Sequence, residues 1–501
     1  MPSSPSRLTW AETRRKLAHM AAFWPALFLP WMSPVQALGV TFLLVMMNLF
    51  ILPWAAKGLY RTGEAGLGAL EIILYPAALM ACVIAFGLRT GSGMPDPRGI
   101  TSGLEAHGMG LQGLGKHAWY LPVGAAWFGL AAIDACIGFA CRLFPQGPVL
   151  PWNPRKSVIG VAIGTLISLF PAYALARLAL PPVETAGWAA LAVLILIAAG
   201  AETAWFGVAD NLVIPFFLSV SIPLFANPLF PEPHSASHMG CPLAGLWPPG
   251  LSGYWALVPI AFGALAYLGR LLTFGGSLLG ALMALFLILA QPCLFAFLGG
   301  FFALGNLATR FGFARKQARG IAEARGGRRG AAEVFGAMGM AAWMTPLVHL
   351  AHLAHLEKSG GPESRPAEYF HKALLVCIAP LVAKTMDTVS SEIGKAVGGK
   401  TVSLRTFRAV APGSEGGVSL AGTLCGLFAA ALMALAILPL RWGGIIDVTV
   451  LIGIAWLANL FESYWGEYAS RRHLDQGPHT NVLMTLVAAV LAWIFWFILF
   501  P

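Results

Sequence analysis

Two sets of polar residues recur in the same order within an otherwise apolar chain. The first runs Asp134, Lys156-Ser157-Val158-Ile159-Gly160, Glu202, Asp210 and Asn211. The second runs Asp387, Ser419-Leu420-Ala421-Gly422-Thr423, Glu462 and Asn481. Each contains an Asp, a Ser-x-x-Gly turn, a Glu and an Asn, with nearly equal intervals from the serine to the glutamate. Carboxylates and amides inside membrane segments are costly, so an ordered set that occurs twice points to two active sites. A structural polar network between helices is the rival reading for any one of these residues. A carboxylate beside phosphates typically holds Mg²⁺ through few protein ligands, which suits Asp134 among the apolar residues of GLAAIDACIGFA. Asp387 has Ser390, Ser391 and Glu392 for neighbours, a patch too polar to face lipid.

The basic segments suggest phosphate binding. In 310–330, Arg310, Arg315, Lys316, Arg319, Arg325, Arg328 and Arg329 stand against one acid, Glu323. Arginine forks match phosphate oxygens in a bidentate manner, and Gly326-Gly327 lets the backbone approach a ligand closely. A cytosolic loop obeying the positive-inside rule needs the charge but not the glycine pair. In 395–416, Gly398-Gly399-Lys400 and the turn from Pro412 to Gly417 supply flexible N–H groups beside Lys395, Lys400, Arg405 and Arg408. That turn enters a helix at Val418-Ser419, whose first amides suit an anion. Lys156, directly before Ser-x-x-Gly, plays the same part or snorkels to the interface.

The elements that must position these groups are membrane helices. Hydrophobic residues make up 57% of the chain and charged residues 11%, against roughly 25% charged in soluble domains; mean hydropathy is +0.72. We expect an all-α polytopic membrane protein with about 13 to 15 spanning helices in two related helical-bundle domains. Apolar runs fall near 20–33, 36–55, 69–89, 119–142, 158–180, 186–201, 205–226, 252–272, 275–292, 293–309, 331–355, 370–386, 417–439, 445–466 and 482–500, some of them short or broken by glycine. The proline-rich stretch 228–250 cannot span a membrane and separates domains at 1–227 and 251–501. Segment 90–117 reads as a Gly-rich extramembrane loop. No cleavable signal peptide is evident, and Arg14, Arg15 and Lys16 favour a cytoplasmic N-terminus.

The seven cysteines never form C-x-x-C and read as small buried hydrophobes. The net charge of +10 sits in loops between spans, so anionic lipid head groups and phosphorylated substrates explain it better than nucleic acid. His349, His352 and His355 lie three apart and suit an interfacial helix better than a zinc site.

Residues 1–227 resemble the phytol kinase and dolichol kinase group, relatives of CDP-diacylglycerol synthase. The resemblance lies in Arg15-Lys16-x-x-His19, Leu74-Tyr75-Pro76, Asp134 with Gly138, Lys156-Ser157-x-x-Gly160, and Glu202 with Asp210-Asn211-Leu212-x-x-Pro215. Residues 251–501 resemble the integral membrane family containing phytyl-phosphate kinase. Its carriers are the run from Ala318 to Gly330, Asp387-x-x-x-Ser391-Glu392-x-Gly394, Pro412-Gly413-x-x-Gly416-Gly417-Val418-Ser419-Leu420-x-Gly422-Thr423, Glu462-Ser463-x-x-Gly466 and Asn481. The chain departs from these patterns at Ile133, Ile159, Ala337-Met338-Gly339 and Glu462.

The resemblance implies a fusion of two lipid kinases. The first would phosphorylate a prenyl alcohol of the phytol or geranylgeraniol type, and the second would convert the monophosphate to the diphosphate. Both would draw on a nucleoside triphosphate, CTP in preference. It implies Asp134 and Asp387 as catalytic residues. It implies Mg²⁺ on Asp134, Glu202, Asp210 and Asn211 in one site and on Asp387, Glu392, Glu462 and Asn481 in the other. Phosphate contacts fall to Lys156, Ser157 and Gly160, and to Arg325, Gly326, Gly327, Arg328, Arg329, Gly416, Gly417, Ser419, Gly422 and Thr423. The partners are then the lipid bilayer, the isoprenoid substrates and the nucleotide, with a homodimer compatible. The setting is a multi-pass protein of a bacterial inner membrane or its equivalent, with cytosolic sites. Two rivals remain at this stage: a CDP-lipid-forming cytidylyltransferase and a repeat-built membrane transporter.

Overall fold

Apolar segments with few polar partners close their backbone hydrogen bonds within helices, and helices dominate the computed structural model. It describes residues 29, 32–50, 76–84, 120–144, 148–150, 153–179, 195–196, 198–200, 202–203, 214–216, 218–219, 257–348, 351, 365–471 and 478–500. The chain divides into two units, Met1–Leu229 and Phe230–Pro501. That division falls inside the proline-rich stretch 228–250. Arg15 to His19, Leu74, Tyr75, the segment 90–117, Asp210, Asn211, His349, His352 and His355 lie outside the described residues.

The first unit contains α1 (Pro34–Phe50) and α2 (Tyr120–Phe128), which runs through a π-helical turn, Gly129–Ile133, into α3 (Asp134–Leu143). A hairpin of β1 (Val149–Leu150) and β2 (Asn153–Ser157) then leads into α4 (Val158–Ala179). Helix α4 packs against α3 at very short range. A methyl group on Gly160 would lie 2.4 Å from Cys141 Cα, and one on Gly164 would lie 2.5 Å from Ile137 Cα. This is the small-x-x-x-small contact by which membrane helices approach without a hydrophobic driving force.

The second unit begins with α5 (Leu257–Leu268), α6 (Phe274–Ala290) and α7 (Pro292–Arg310). Thr273 caps α6 by accepting from the Gly276 amide, and Pro292 starts α7 where its missing N–H costs nothing. A short helix α8 (Phe313–Ala318) and a tight turn at Ala324–Gly327 precede α9 (Ala331–Trp343). Then come α10 (Arg365–Val397), β3 (Thr401–Ser403), β4 (Ala409–Val410), β5 (Gly417–Ser419), α11 (Leu420–Leu435), α12 (Ile445–Arg471) and α13 (Pro478–Trp493), which ends in a π-helical segment, Ile494–Leu499.

Helix α10 is the hub, packed against α7, α9, α11, α12 and α13. The sequence suggests a span at 370–386, yet the helix continues to Val397 through Asp387, Ser390, Ser391 and Glu392. Those polar groups face other helices and a polar cavity: Asp387 and Glu392 are both buried, while Ser390 and Ser391 line the cavity. Likewise 395–416 is more than a loop. Its strands form an antiparallel sheet in the order β4-β3-β5, which delivers Ser419 to the start of α11. Ala308, Val389 and Ala429 form a small core among α7, α10 and α11, with Leu304, Ile393 and Cys425 packed around it.

Among the described residues, six helices are long and apolar enough to cross a membrane: Ala126–Leu143, Pro292–Arg310, Ala331–Val348, Glu368–Val397, Ile445–Arg471 and Pro478–Leu499. Shorter apolar helices accompany them in both units. The fold is that of a helical, multi-pass integral membrane protein.

Candidate functional site

Helical periodicity sets Lys384, Asp387, Ser391 and Lys395 on one stripe of α10. The same spacing sets Asn459, Glu462 and Ser463 on one stripe of α12. The two stripes line a polar cavity of roughly 400 Å³. Its walls also include Glu323, Arg329 ahead of α9, Glu333 on α9, the Gly413–Gly417 turn, Ser419 and Thr423 at the head of α11, and Thr480 with Asn481 on α13.

The cavity is held by paired charges. Lys384 Nζ donates to Asp387 Oδ2 at 2.5 Å and to Asn481 Oδ1 at 2.6 Å, joining α10 to α13. Asn459 Nδ2 donates to Asp387 Oδ1 at 3.4 Å, joining α10 to α12. Lys316 is wholly buried and donates to Glu392 Oε2 at 2.5 Å and to the carbonyls of Ala308 and Thr309. It thereby neutralises a carboxylate and satisfies the last turn of α7. Lys395 bridges Glu392 at 3.4 Å and Glu323 at 3.2 Å. Burial is the strongest single influence on the Glu323 carboxyl and would raise its pKa, but Lys395, Glu392 and Arg329 together outweigh it and hold the group below its ordinary value. Glu415 also lines the cavity, and the charges of Asp387, Glu415, Lys384 and Lys395 all bear on Glu462.

The Ser-x-x-Gly turn has the same structural meaning in both units. Ser419 caps α11 by accepting from the Gly422 amide at 3.2 Å, and Ser157 accepts from the Gly160 amide at 3.1 Å. Each serine ends a short β-strand and opens a helix. The glycine then brings that helix against the one bearing the aspartate. A methyl group on Gly422 would lie 2.4 Å from the Ser390 carbonyl oxygen on α10. Gly416, at φ +73°, adopts a left-handed turn that side chains rarely tolerate, and a methyl group there would meet Glu467 Cβ at 2.6 Å. Glu467 is itself tied to the sheet through Ser403 and to Arg471.

The arginine run divides. Arg329 lines the cavity, Arg325 forms an ion pair with the cavity-lining Glu333, and Arg328 donates to the Leu272 carbonyl at 3.3 Å. Gly326 and Gly327 build a left-handed turn, with Arg325 also at positive φ. In the first unit, Lys156 pairs with the Glu202 carboxylate and donates to the Glu202 carbonyl at 2.6 Å. Asn153 Nδ2 donates to the Thr203 carbonyl at 3.1 Å. Asp134 is buried at the junction of the π-helical turn and α3, a kind of helix irregularity frequent at functional sites.

Sequence reasoning passed over Lys384, Asn459, Glu415 and the pairing of Lys316 with Glu392. A lysine three residues before Asp387 in an apolar run was a usable signal for the first. Glu415 lies inside the Pro412–Gly417 turn, where the glycines drew the reading, while Asn459 and the Lys316–Glu392 pair carry no local mark because their partners are distant in the chain.

The fold and cavity define a polytopic integral membrane protein with a charged, water-accessible cavity among its helices. Residues 257–491 match the family described as integral membrane protein DUF92, a stretch that contains every residue lining this cavity. An uncharacterized membrane protein of Synechocystis is 39% identical over 171 residues, 33% of this chain and 59% of the relative. Protein VTE6, chloroplastic, of Arabidopsis thaliana is 35% identical over 140 residues, 28% of this chain and 38% of that protein. An uncharacterized membrane protein of Methanocaldococcus jannaschii is 30% identical over 129 residues, 24% of this chain and 51% of the relative. The chain thus spans between 38% and 59% of the length of these curated relatives. No solved structure matches it.

Proposed function

We propose that the second unit is a phosphotransferase that converts a prenyl monophosphate to a diphosphate. The observation that carries this reading is one cavity in which Arg329, Lys384 and Lys395 face Glu323, Glu333, Asp387, Glu392, Glu415 and Glu462 beside the capped N-terminus of α11. Phosphoryl transfer asks chiefly for positioning and for neutralising charge. Cations, glycine amides and a helix N-terminus supply both for phosphates. The resemblance of residues 251–501 to the phytyl-phosphate kinase family points the same way.

In this reading a nucleoside triphosphate, CTP in preference, donates its terminal phosphoryl group. The bond from that phosphorus to the nucleoside diphosphate oxygen breaks, and a bond to an oxygen of the prenyl monophosphate forms. The acceptor is already ionised, so no residue need remove a proton from an alcohol. Lys384 exchanges Asp387 and Asn481 for phosphate oxygens, while Gly416, Gly417, Ser419 and Thr423 orient the nucleotide.

Among the described residues no group of three or more His, Cys, Asp or Glu is gathered to hold a metal ion. Mg²⁺ needs less: it usually takes one or two carboxylates together with waters and substrate phosphates. Asp387 and Glu462, hard oxygen donors in the same cavity, fit that demand, and Glu392 and Asn481 stand beside them. The ion, when bound, would neutralise phosphate charge.

For the first unit we propose phosphorylation of the prenyl alcohol, with Asp134, Glu202, Asp210 and Asn211 toward Mg²⁺ and Lys156, Ser157 and Gly160 toward phosphate. The monophosphate then diffuses within the bilayer to the second site, and both sites open to the cytosol of a bacterial inner membrane or its equivalent. Incubation of purified protein with a prenyl monophosphate and CTP labelled separately in the γ-phosphate and the cytidine decides the chemistry. Label from the γ-phosphate in a prenyl diphosphate is expected. Cytidine in the lipid would replace this reading with nucleotidyl transfer, and no label in lipid would favour a carrier.

A further inference from the structure

Beside the polar cavity lies a second, apolar one of about 40 Å³, walled by Phe262, Leu298, Phe301, Phe302, Val334 and Met338. The two share Arg329. We infer that this apolar cavity seats the phosphate-proximal isoprene unit of the prenyl monophosphate, with Arg329 holding the phosphate where the two cavities meet. The inference rests on the phosphotransferase reading above and adds where the lipid is gripped.

Arg329 is fixed in place by its backbone. Its amide donates to the Leu271 carbonyl at 3.1 Å, and its carbonyl accepts from the Thr273 amide at 3.0 Å. The residue is thereby pinned to the junction between α5 and α6, where an arginine head can reach a phosphate and its stem can lie along apolar wall. Phe262 and Phe302 meet edge to face at 5.0 Å, which makes that wall aromatic. A buried water needs roughly 10–15 Å³, so about 40 Å³ admits a few methyl-sized groups. It accepts the branched carbons of one isoprene unit and leaves the rest of the tail to the bilayer. Selection therefore acts on the carbons next to the phosphate and not on overall chain length.

The test uses the full chain in lipid nanodiscs and a geranylgeranyl monophosphate carrying a diazirine on its first isoprene unit. Photolabelling mapped to Phe301, Phe302 or Met338 is expected. Gly280 on α6 also lines the apolar cavity, and a methyl group there would make only ordinary contacts, 3.6 Å to Val334 Cγ1 and 3.8 Å to Leu272 Cδ1. Gly280→Val should occupy the space, cut labelling about tenfold and leave CTP binding unchanged. Gly280→Ala is the milder variant should the valine fail to fold, with a smaller loss in the same direction. Diphosphate formation with labelling on other helices, or full labelling of well-folded Gly280→Val, would overturn the assignment. Labelling in the cavity without diphosphate formation would uphold it and overturn the kinase reading instead.

Discussion

Lys384 and Asp387 lie 2.5 Å apart as an i, i+3 ion pair on one buried face of α10. Removing one member of a buried pair strands the other charge, at a cost of about 3–5 kcal/mol. Lys384→Met should therefore destabilise the protein by that order. Lys384→Met combined with Asp387→Leu should recover most of the stability while activity stays about 10²–10³-fold down. Unfolding in detergent, paired with diphosphate production, reads both; simple additivity of the two stability losses would remove the pairing argument.

Gly422 supplies the closest approach of α11 to α10, with the Ser390 carbonyl directly across from it. Gly422→Ala should push the helices apart and cost about 1–3 kcal/mol. Ser419→Ala loses the helix cap and should cost about 1 kcal/mol, with Ser419→Asn restoring most of it. Thermal melts of the three variants provide the comparison. A Gly422→Ala melt indistinguishable from wild type would refute the close packing.

The two aspartates should separate by product. Asp387→Asn is expected to stop the reaction at prenyl monophosphate, whereas Asp134→Asn should block use of the alcohol and still convert added monophosphate. Chromatography of labelled lipids distinguishes them. Full diphosphate production from alcohol by both variants would end the two-site scheme.

Glu323 gives a pH dependence with a defined sign. Its folded pKa is lowered from 4.5, since Lys395, Glu392 and Arg329 together outweigh the effect of burial. The contribution of Glu323 to stability is thus fully present above pH 4.5 and is lost as pH falls through the lower folded value. Glu323→Gln should melt below wild type near neutrality and converge with it in acid. A gap that widened on acidification would reverse the sign and rule out the Lys395 contact as its source.

Membrane class, helical architecture and the doubled Asp, Ser-x-x-Gly and Glu order were legible in the sequence. Hydropathy is summed locally, and caps such as Ser157 and Ser419 act within four residues. The same locality explains what was not legible. Lys316 meets Glu392, and Lys384 meets Asn481, only because helices far apart in the chain pack together. Those contacts decide that Asp387 and Glu392 lie buried within a single long helix, although hydropathy alone would end the span before them. Packing also divides the arginine run: Arg329 lines the cavity, Arg325 pairs with Glu333 on the cavity wall, and Arg328 bonds to the Leu272 carbonyl. Charge and spacing determine that a segment suits phosphate. Which of its side chains line a cavity depends on what each neighbouring helix leaves open, and only tertiary packing decides that.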